Sequence, residues 1–382
     1  MKTIYLDYAA ATPMDPLVLQ SMTPYFTDKF YNPSATYLPA QSVRQDLEAA
    51  RANVAHWLGA RSSEIIFTAG GTEANNLAIR GVLEQFPDGN IIVSAIEHES
   101  VLAAANAAAG KCKLARVTAE GIVDVRELIR LIDDHTVLIS VMYANNEVGA
   151  IQPLRDITRC VQAIRQQRQK AGNDYPLYVH TDAAQAAAYL DLHTARLGVD
   201  LLTLNAGKIY GPKQAAVLYM HHDVRLSPQV LGGGQERTYR SGTENVAGAI
   251  GLATALDLVQ SRRRDEVARL QALQRLFFEL LAEKLPTAVV NGSRKNRLPN
   301  NVHITLPGED NERLLIELES QGILAAAGSA CSASDEEPSH VLKAMGLDDA
   351  AAQASLRFTM GRLTTEDDIR QTVHILAQMA KA

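Results

Sequence analysis

The chain has 382 residues, 47% of them hydrophobic and 21% charged, and a net charge of −6 from 37 basic and 43 acidic side chains. Such a length predicts two domains rather than one small core, and the ordinary apolar and charged fractions exclude a fibrous or disordered chain. The mildly acidic balance speaks against a nucleic-acid partner; there is no run of about eighteen apolar residues to cross a membrane, and Met1 to Asp7 lack a secretory signature, so the cytoplasm is expected.

In chain order, Val43, Leu47, Ala50, Val54 and Leu58 recur at helical spacing, and Gly59 is placed to end that helix. A short apolar run from Glu64 to Thr68 follows, then Ala69-Gly70-Gly71 and a second helical pattern. Ile91 to Ser94, Val137 to Val141, Leu177 to Thr181, Leu201 to Leu204 and Ala216 to Met220 read as strands that are apolar on both faces. That is the pattern of a sheet covered by helices on both sides, and the alternation of strands and helices predicts an α/β architecture. The pattern changes near residue 258. Val267, Leu270, Leu273, Phe277 and Leu280 mark a long amphipathic helix closed by Pro286. A strand (Asn301 to Leu306), a helix (Asn311 to Gln321) and a last helix from about Thr365 follow. The expected division is a large domain over 13–257 and a smaller α+β domain built from 1–12 and 258–382. Arg262, Arg263 and Arg264, beside Asp265 and Glu266, read as a solvated helix face.

Several positions carry chemistry. The stretch Thr68-Ala69-Gly70-Gly71-Thr72-Glu73 joins a strand to a helix, whose unpaired N–H groups can cradle a phosphate, with Thr72 adding a hydroxyl. Asp182 and Gln185 follow an apolar strand, where an acid can hold a positive charge such as a protonated pyridine nitrogen, or can simply be the N-cap of a helix. Lys208 lies on a connection between buried strands, where an amine can bond an aldehyde cofactor, and Lys213 is a rival five residues on. His98 follows the strand Ile91 to Ser94 and can stack on a planar ring or move protons. In Asn145-Asn146-Glu147 an amide can bond a phenolic oxygen or shape a turn. Arg357 is a candidate for a forked grip on a carboxylate.

The three cysteines, Cys112, Cys160 and Cys331, are too sparse for a disulfide framework, and no pair has zinc-ligand spacing, so no metal is expected. Cys331 stands apart. Its surroundings, Ala325-Ala326-Ala327-Gly328-Ser329-Ala330-Cys331-Ser332-Ala333-Ser334, hold no large anchor and predict an exposed, mobile loop. A thiol on such a tether can move between a donor and an acceptor.

Taken together, these stations resemble the cysteine desulfurases, in the aminotransferase class V branch of fold-type I pyridoxal-phosphate enzymes. The resemblance runs from Tyr5-Leu6-Asp7-Tyr8 through Gly71-Thr72-Glu73, Glu97-His98, Asn145-Asn146-Glu147-Val148-Gly149 and Asp182-Ala183-Ala184-Gln185. It continues with Lys208-Ile209-Tyr210-Gly211-Pro212-Lys213 and Arg240-Ser241-Gly242-Thr243-Glu244-Asn245, and closes with Gly328-Ser329-Ala330-Cys331 and Glu337-Pro338-Ser339-His340. It implies a large domain with a mixed, mostly parallel sheet flanked by helices, plus a smaller domain carrying the cysteine loop. It also implies pyridoxal 5'-phosphate as cofactor and L-cysteine as substrate. Lys208, not Lys213, would bond the cofactor. Asp182 would pair with the ring nitrogen, His98 would stack on the ring and serve as proton acceptor, and Asn146 and Gln185 would bond its phenolic side. Gly71, Thr72, Asn205 and Gly207 would lie around the phosphate, with Thr243 reaching in from the neighbouring subunit of a homodimer. Arg357, with Asn146, would bind the substrate. Cys331 would become persulfidated and pass sulfur to an acceptor protein, such as an iron–sulfur scaffold or a tRNA-thiolation carrier. The spacing from Cys331 to Pro338 resembles the branch with the longer loop.

Two departures stand out. Where the family has Ser and His on the phosphate, this chain has Asn205 and Gly207, which predicts a looser grip on the cofactor or compensation elsewhere. Ala382 follows the last helical pattern closely, whereas longer relatives carry a tail that docks a scaffold protein, so that docking is not expected to follow the same form.

Overall fold

The computed structural model describes residues 3–108, 110–328 and 338–380. Among them the chain forms strands β1 (Ile4–Tyr5), β2 (Ile65–Thr68), β3 (Asn90–Ser94), β4 (Cys112–Ala115), β5 (Thr136–Ser140), β6 (Tyr178–Asp182), β7 (Leu201–Asn205), β8 (Ala216–Met220), β9 (Val289–Val290), β10 (Asn301–Thr305), β11 (Ile323–Leu324) and β12 (Ser355–Thr359).

Seven strands form the main sheet in the order β2-β8-β7-β6-β5-β3-β4. The neighbours from β4 to β7 are parallel, whereas β8 runs antiparallel to both β7 and β2. The alternation of side chains along a strand sends Ile66, Ile91, Val93, Leu138, Leu201 and Leu218 into one apolar cluster. Their neighbours Ile65, Ile92, Ile139, Leu202 and Val217 enter another. The first cluster is shared with helices Gly71–Gln85 and Glu99–Asn106, and the second with helices Leu38–Leu58, Leu154–Ala171 and Val246–Ser261. Both faces are therefore covered, as runs apolar on both faces predict. At about 25 cal/mol per Å² of apolar surface removed from water, this two-sided burial is the main source of the sheet's stability.

The parallel strands β3, β5, β6 and β7 all end at one edge of the sheet, on Ser94, Ser140, Asp182 and Asn205. In open α/β sheets this is the edge at which ligands bind.

A second, three-stranded antiparallel sheet has the order β12-β10-β9. Helices Arg263–Lys284 and Glu366–Met379 pack against each other beside it. The N-terminal segment joins this region: β1 pairs in parallel with β11, and the Thr359 N–H donates to Leu6 O at 2.7 Å. Thr365 caps the last helix by accepting from Asp368 N, while Asp368 accepts from Thr365 N, a reciprocal cap that sets the start to the residue.

Gly59 ends helix Leu38–Leu58 with a left-handed φ of 62°. The amphipathic pattern near 258 resolves into two helices, Val246–Ser261 and Arg263–Lys284, joined at Arg262. Arg262 and Arg264 are exposed, in keeping with a solvated face. Strand β4 is absent from the sequence expectation because it is an edge strand carrying Lys113 and an exposed Leu114, with no apolar run. Cys112 and Cys160 are half-buried free thiols. No helix among the described residues is long and apolar enough to cross a membrane.

Candidate active site

Beyond the carboxyl ends of β6 and β7 lies a cleft lined by Gly71, Thr72, His98, Asn146, Asp182, Gln185, Asn205, Lys208 and Arg357. Residues from well-separated parts of the sequence meet here. Gly207, which adjoins the lining residue Lys208, is not itself part of that wall, and Thr243 is an exposed residue that does not line this cleft. Cys331 lies outside the described residues.

Lys208 ends the short turn Ala206–Lys208 that follows β7. Its Nζ donates to Ala9 O at 2.8 Å and Ala10 O at 2.6 Å, so the N-terminal segment holds the amine at the cleft. Gln185 Nε2 donates to the same Ala9 O at 3.0 Å. Lys213 is exposed. Of the two lysines, Lys208 lines the cleft and Lys213 does not.

Asp182 ends β6 and is buried. One carboxylate oxygen accepts from Ala184 N at 2.9 Å, and the other accepts from Asn75 Nδ2 at 2.8 Å. No helix begins at Asp182, so it is not a helix N-cap; its first oxygen shapes the turn after β6 while the carboxylate lines the cleft. Asn75 Nδ2 also donates to Ser100 Oγ at 2.9 Å. His98 is the N-cap of helix Glu99–Asn106, and its Nδ1 accepts from Ser100 N at 3.1 Å. Neighbouring Glu97 is fully buried, and burial pushes its carboxyl up to about 8 despite hydrogen bonds from Ser94 Oγ and Met142 N.

Helix Gly71–Gln85 presents its N-terminus to the cleft through Gly71 and Thr72. Glu73 in its first turn accepts from Ala69 N at 3.2 Å and pairs with Arg240 at 2.9 Å, which ties the Arg240–Asn245 segment carrying Thr243 to this helix end. Asn205 Oδ1 accepts from Gly207 N at 3.0 Å, leaving the amide Nδ2 as its donor. A Cβ on Gly207 would meet Asn205 Oδ1 at 3.5 Å and Lys213 Cγ at 3.8 Å, ordinary contacts, so there is room for a side chain at this position.

Arg357 lies in the middle of β12 and is 1% exposed. Its Nη2 pairs with Asp7 at 2.7 Å and its Nη1 donates to Asn146 O at 3.2 Å. This guanidinium is therefore buried and is not part of a surface ion pair. Asn145 and Asn146 divide the two tasks open to them. Asn145 shapes the turn by accepting from Glu147 N and Val148 N, and Asn146 lines the cleft.

Both flanks of residues 329–337 reach the rim of the cleft. On one side Ala326 exchanges backbone hydrogen bonds with Arg357 itself. On the other, Ser339 Oγ donates to Glu147 Oε2 at 2.5 Å and His340 Nε2 lies 2.9 Å from Glu97 O. Asn75, Ser100, Asp7 and Glu147 are thus parts of the site that residue type did not single out. Asn75 is read in sequence as an ordinary helix residue. Its spacing of four from Gly71, one helical turn, is the signal that places it behind the helix N-terminus at the cleft.

A family model described as aminotransferase class-V matches residues 4–372. A cysteine desulfurase IscS of Dictyoglomus turgidum is 38% identical over 99% of this chain and 94% of its own length. A cysteine desulfurase of Frankia sp. is 41% identical over 98% of this chain and 90% of its own length. Among solved structures, the NifS-like protein of Rickettsia africae matches with a TM-score of 0.88 and 30% identity over the whole of both chains. A structure described as SspA in complex with cysteine matches with a TM-score of 0.80 and 32% identity, covering 94% of this chain and 99% of that one. With matches that span the whole chain on every side, this protein belongs to the aminotransferase class-V family and, within it, to the cysteine desulfurases.

Proposed function

We propose that the chain removes sulfur from L-cysteine with pyridoxal phosphate seated in this cleft, releases L-alanine, and holds the sulfur as a persulfide on Cys331 for a thiol acceptor. The residues fit the cofactor. A lysine amine, a buried carboxylate, an imidazole and a helix N-terminus face one space, matching an aldehyde, a protonated ring nitrogen, a ring face and a phosphate. Asn75 Oδ1 and Arg357 Nε are buried without a partner among the described residues, which leaves polar capacity unmet in a wall built for a polar guest.

When bound, pyridoxal phosphate supplies an aldehyde for the substrate amine and a ring that takes up electrons from the α-carbon. Asp182 holds the charge on the ring nitrogen. Asn146 and Gln185 bond the phenolic side, and Gly71, Thr72 and Asn205 take the phosphate beside Gly207. Arg357 holds the substrate carboxylate. Lys208, once free, moves the α-proton. The Cys331 thiolate attacks the substrate sulfur; the carbon–sulfur bond breaks as the sulfur–sulfur bond forms, and the carbon takes a proton to become the alanine methyl group. Because Thr243 is exposed outside its own cleft, its part in phosphate binding requires a second copy of the chain, and a homodimer completes the site.

The observation that carries this reading is the convergence of Lys208, Asp182, His98 and Arg357 on one cleft, with both flanks of residues 329–337 on its rim. The test is a single turnover with L-cysteine and no reductant, followed by digestion and mass analysis. One extra sulfur atom on the Cys331 peptide is expected. Alanine release with an unmodified Cys331 would overturn the assignment.

A further inference from the structure

Asn75 and Ser100 do more than shape the wall. The Asn75 amide nitrogen has two hydrogens and two acceptors, Asp182 Oδ2 at 2.8 Å and Ser100 Oγ at 2.9 Å, so both are used. Reversing the amide would set its oxygen against the Asp182 carboxylate, acceptor against acceptor, which fixes the orientation. Asn75 is 1% exposed, so these bonds are shielded from bulk solvent.

Ser100 Oγ, already accepting from Asn75, sends its own hydrogen on to His98 Nδ1, 2.8 Å away. The backbone N–H of Ser100 donates to the same nitrogen at 3.1 Å. A ring nitrogen facing two donors carries no hydrogen of its own, so the hydrogen of the neutral ring sits on Nε2.

We infer that Asn75 and Ser100 are positioning residues for the desulfurase reaction: they link the Asp182 carboxylate to His98 and hold His98 as the tautomer with its hydrogen on Nε2. In that tautomer Nε2 has no lone pair with which to take a proton. His98 therefore enters the reaction as a ring face and a hydrogen-bond donor, and proton removal falls to Lys208. It differs from the resemblance, which implies that His98 also serves as a proton acceptor.

The inference rests on the proposed function for the reaction it serves, but the tautomer can be read whether or not the protein desulfurates cysteine. The full-length protein, with and without pyridoxal phosphate, is labelled with nitrogen-15 histidine. The His98 signals among the ten histidines are identified by their loss in His98→Gln. Wild type is expected to show the Nε2–H coupling pattern in both states. Asn75→Ala and Ser100→Ala should each bring in the other tautomer, and Ser100→Thr, which keeps the hydroxyl, should restore the wild-type pattern. The signals of the other histidines report whether each variant folds. An Nδ1–H pattern in wild type, or an unchanged pattern in both folded alanine variants, overturns the inference.

Discussion

Arg357 and Asp7, 350 residues apart in sequence, meet at 2.7 Å, so the N-terminal segment supplies the counter-ion for the guanidinium buried in β12. Arg357 also exchanges backbone hydrogen bonds with Ala326, ahead of Cys331 in the chain. One residue thus connects the proposed grip on a substrate carboxylate, the N-terminal motif and the chain that leads to residues 329–337.

Arg357→Lys keeps the charge but loses the planar fork. The KM for L-cysteine is expected to rise about tenfold or more, with a smaller change in kcat. Asp7→Asn leaves the buried cation without its counter-ion and is expected to lower stability by about 2–4 kcal/mol. Steady-state kinetics and urea unfolding check the two. Unchanged KM in the first variant would remove the carboxylate role.

Asn205 Nδ2 is the side-chain donor left at this position, and Gly207 offers room for a side chain. Asn205→Ala is expected to speed cofactor loss by about tenfold, the effect of one lost hydrogen bond of roughly 1.4 kcal/mol to a charged group. Gly207→His should slow it. Dialysis followed by absorbance measures both, and equal retention in all three proteins would show that the phosphate is held elsewhere.

Glu97 sets a pH dependence. Burial raises its carboxyl from the ordinary 4.5 to about 8 in the folded protein. The folded state then keeps a proton that the unfolded chain has released, so stability is full below about pH 4.5 and falls as pH rises to about 8. Glu97→Gln carries no such proton and should flatten that fall. Urea midpoints for both proteins across this range are the check; parallel pH profiles would show that Glu97 is ionised in the fold.

Ser339→Ala removes the 2.5 Å bond to Glu147 at the far flank of residues 329–337. Persulfide formation on Cys331 is expected to slow several-fold, while the absorbance change on adding L-cysteine stays as in wild type. Rapid-quench mass analysis separates the two steps. An equal loss in both would mean that Ser339 supports the cleft as a whole.

The sheet was legible because its strands bury both faces. Val137 to Val141, interrupted only by Ser140, and Ala216 to Met220 are apolar runs, and they lie within one residue of β5 and coincide with β8. Edge strand β4 was not legible, because an exposed edge needs no apolar run. In the cleft, Lys208, Asp182 and His98 announce themselves by residue type at strand ends. Asn75 and Ser100 do not, since an asparagine and a serine within helices have many ordinary uses and only the tertiary contact with Asp182 and His98 tells them apart. The choice between Lys208 and Lys213 likewise follows from which amine meets Ala9 and Ala10.

The central claim is tested most directly by giving cofactor-loaded wild type and Cys331→Ala L-cysteine and a reductant, then measuring alanine and sulfide together. Equal amounts of both from wild type, and neither from the variant, are predicted. Alanine and sulfide from the variant at the wild-type rate would contradict the claim that sulfur leaves cysteine through Cys331.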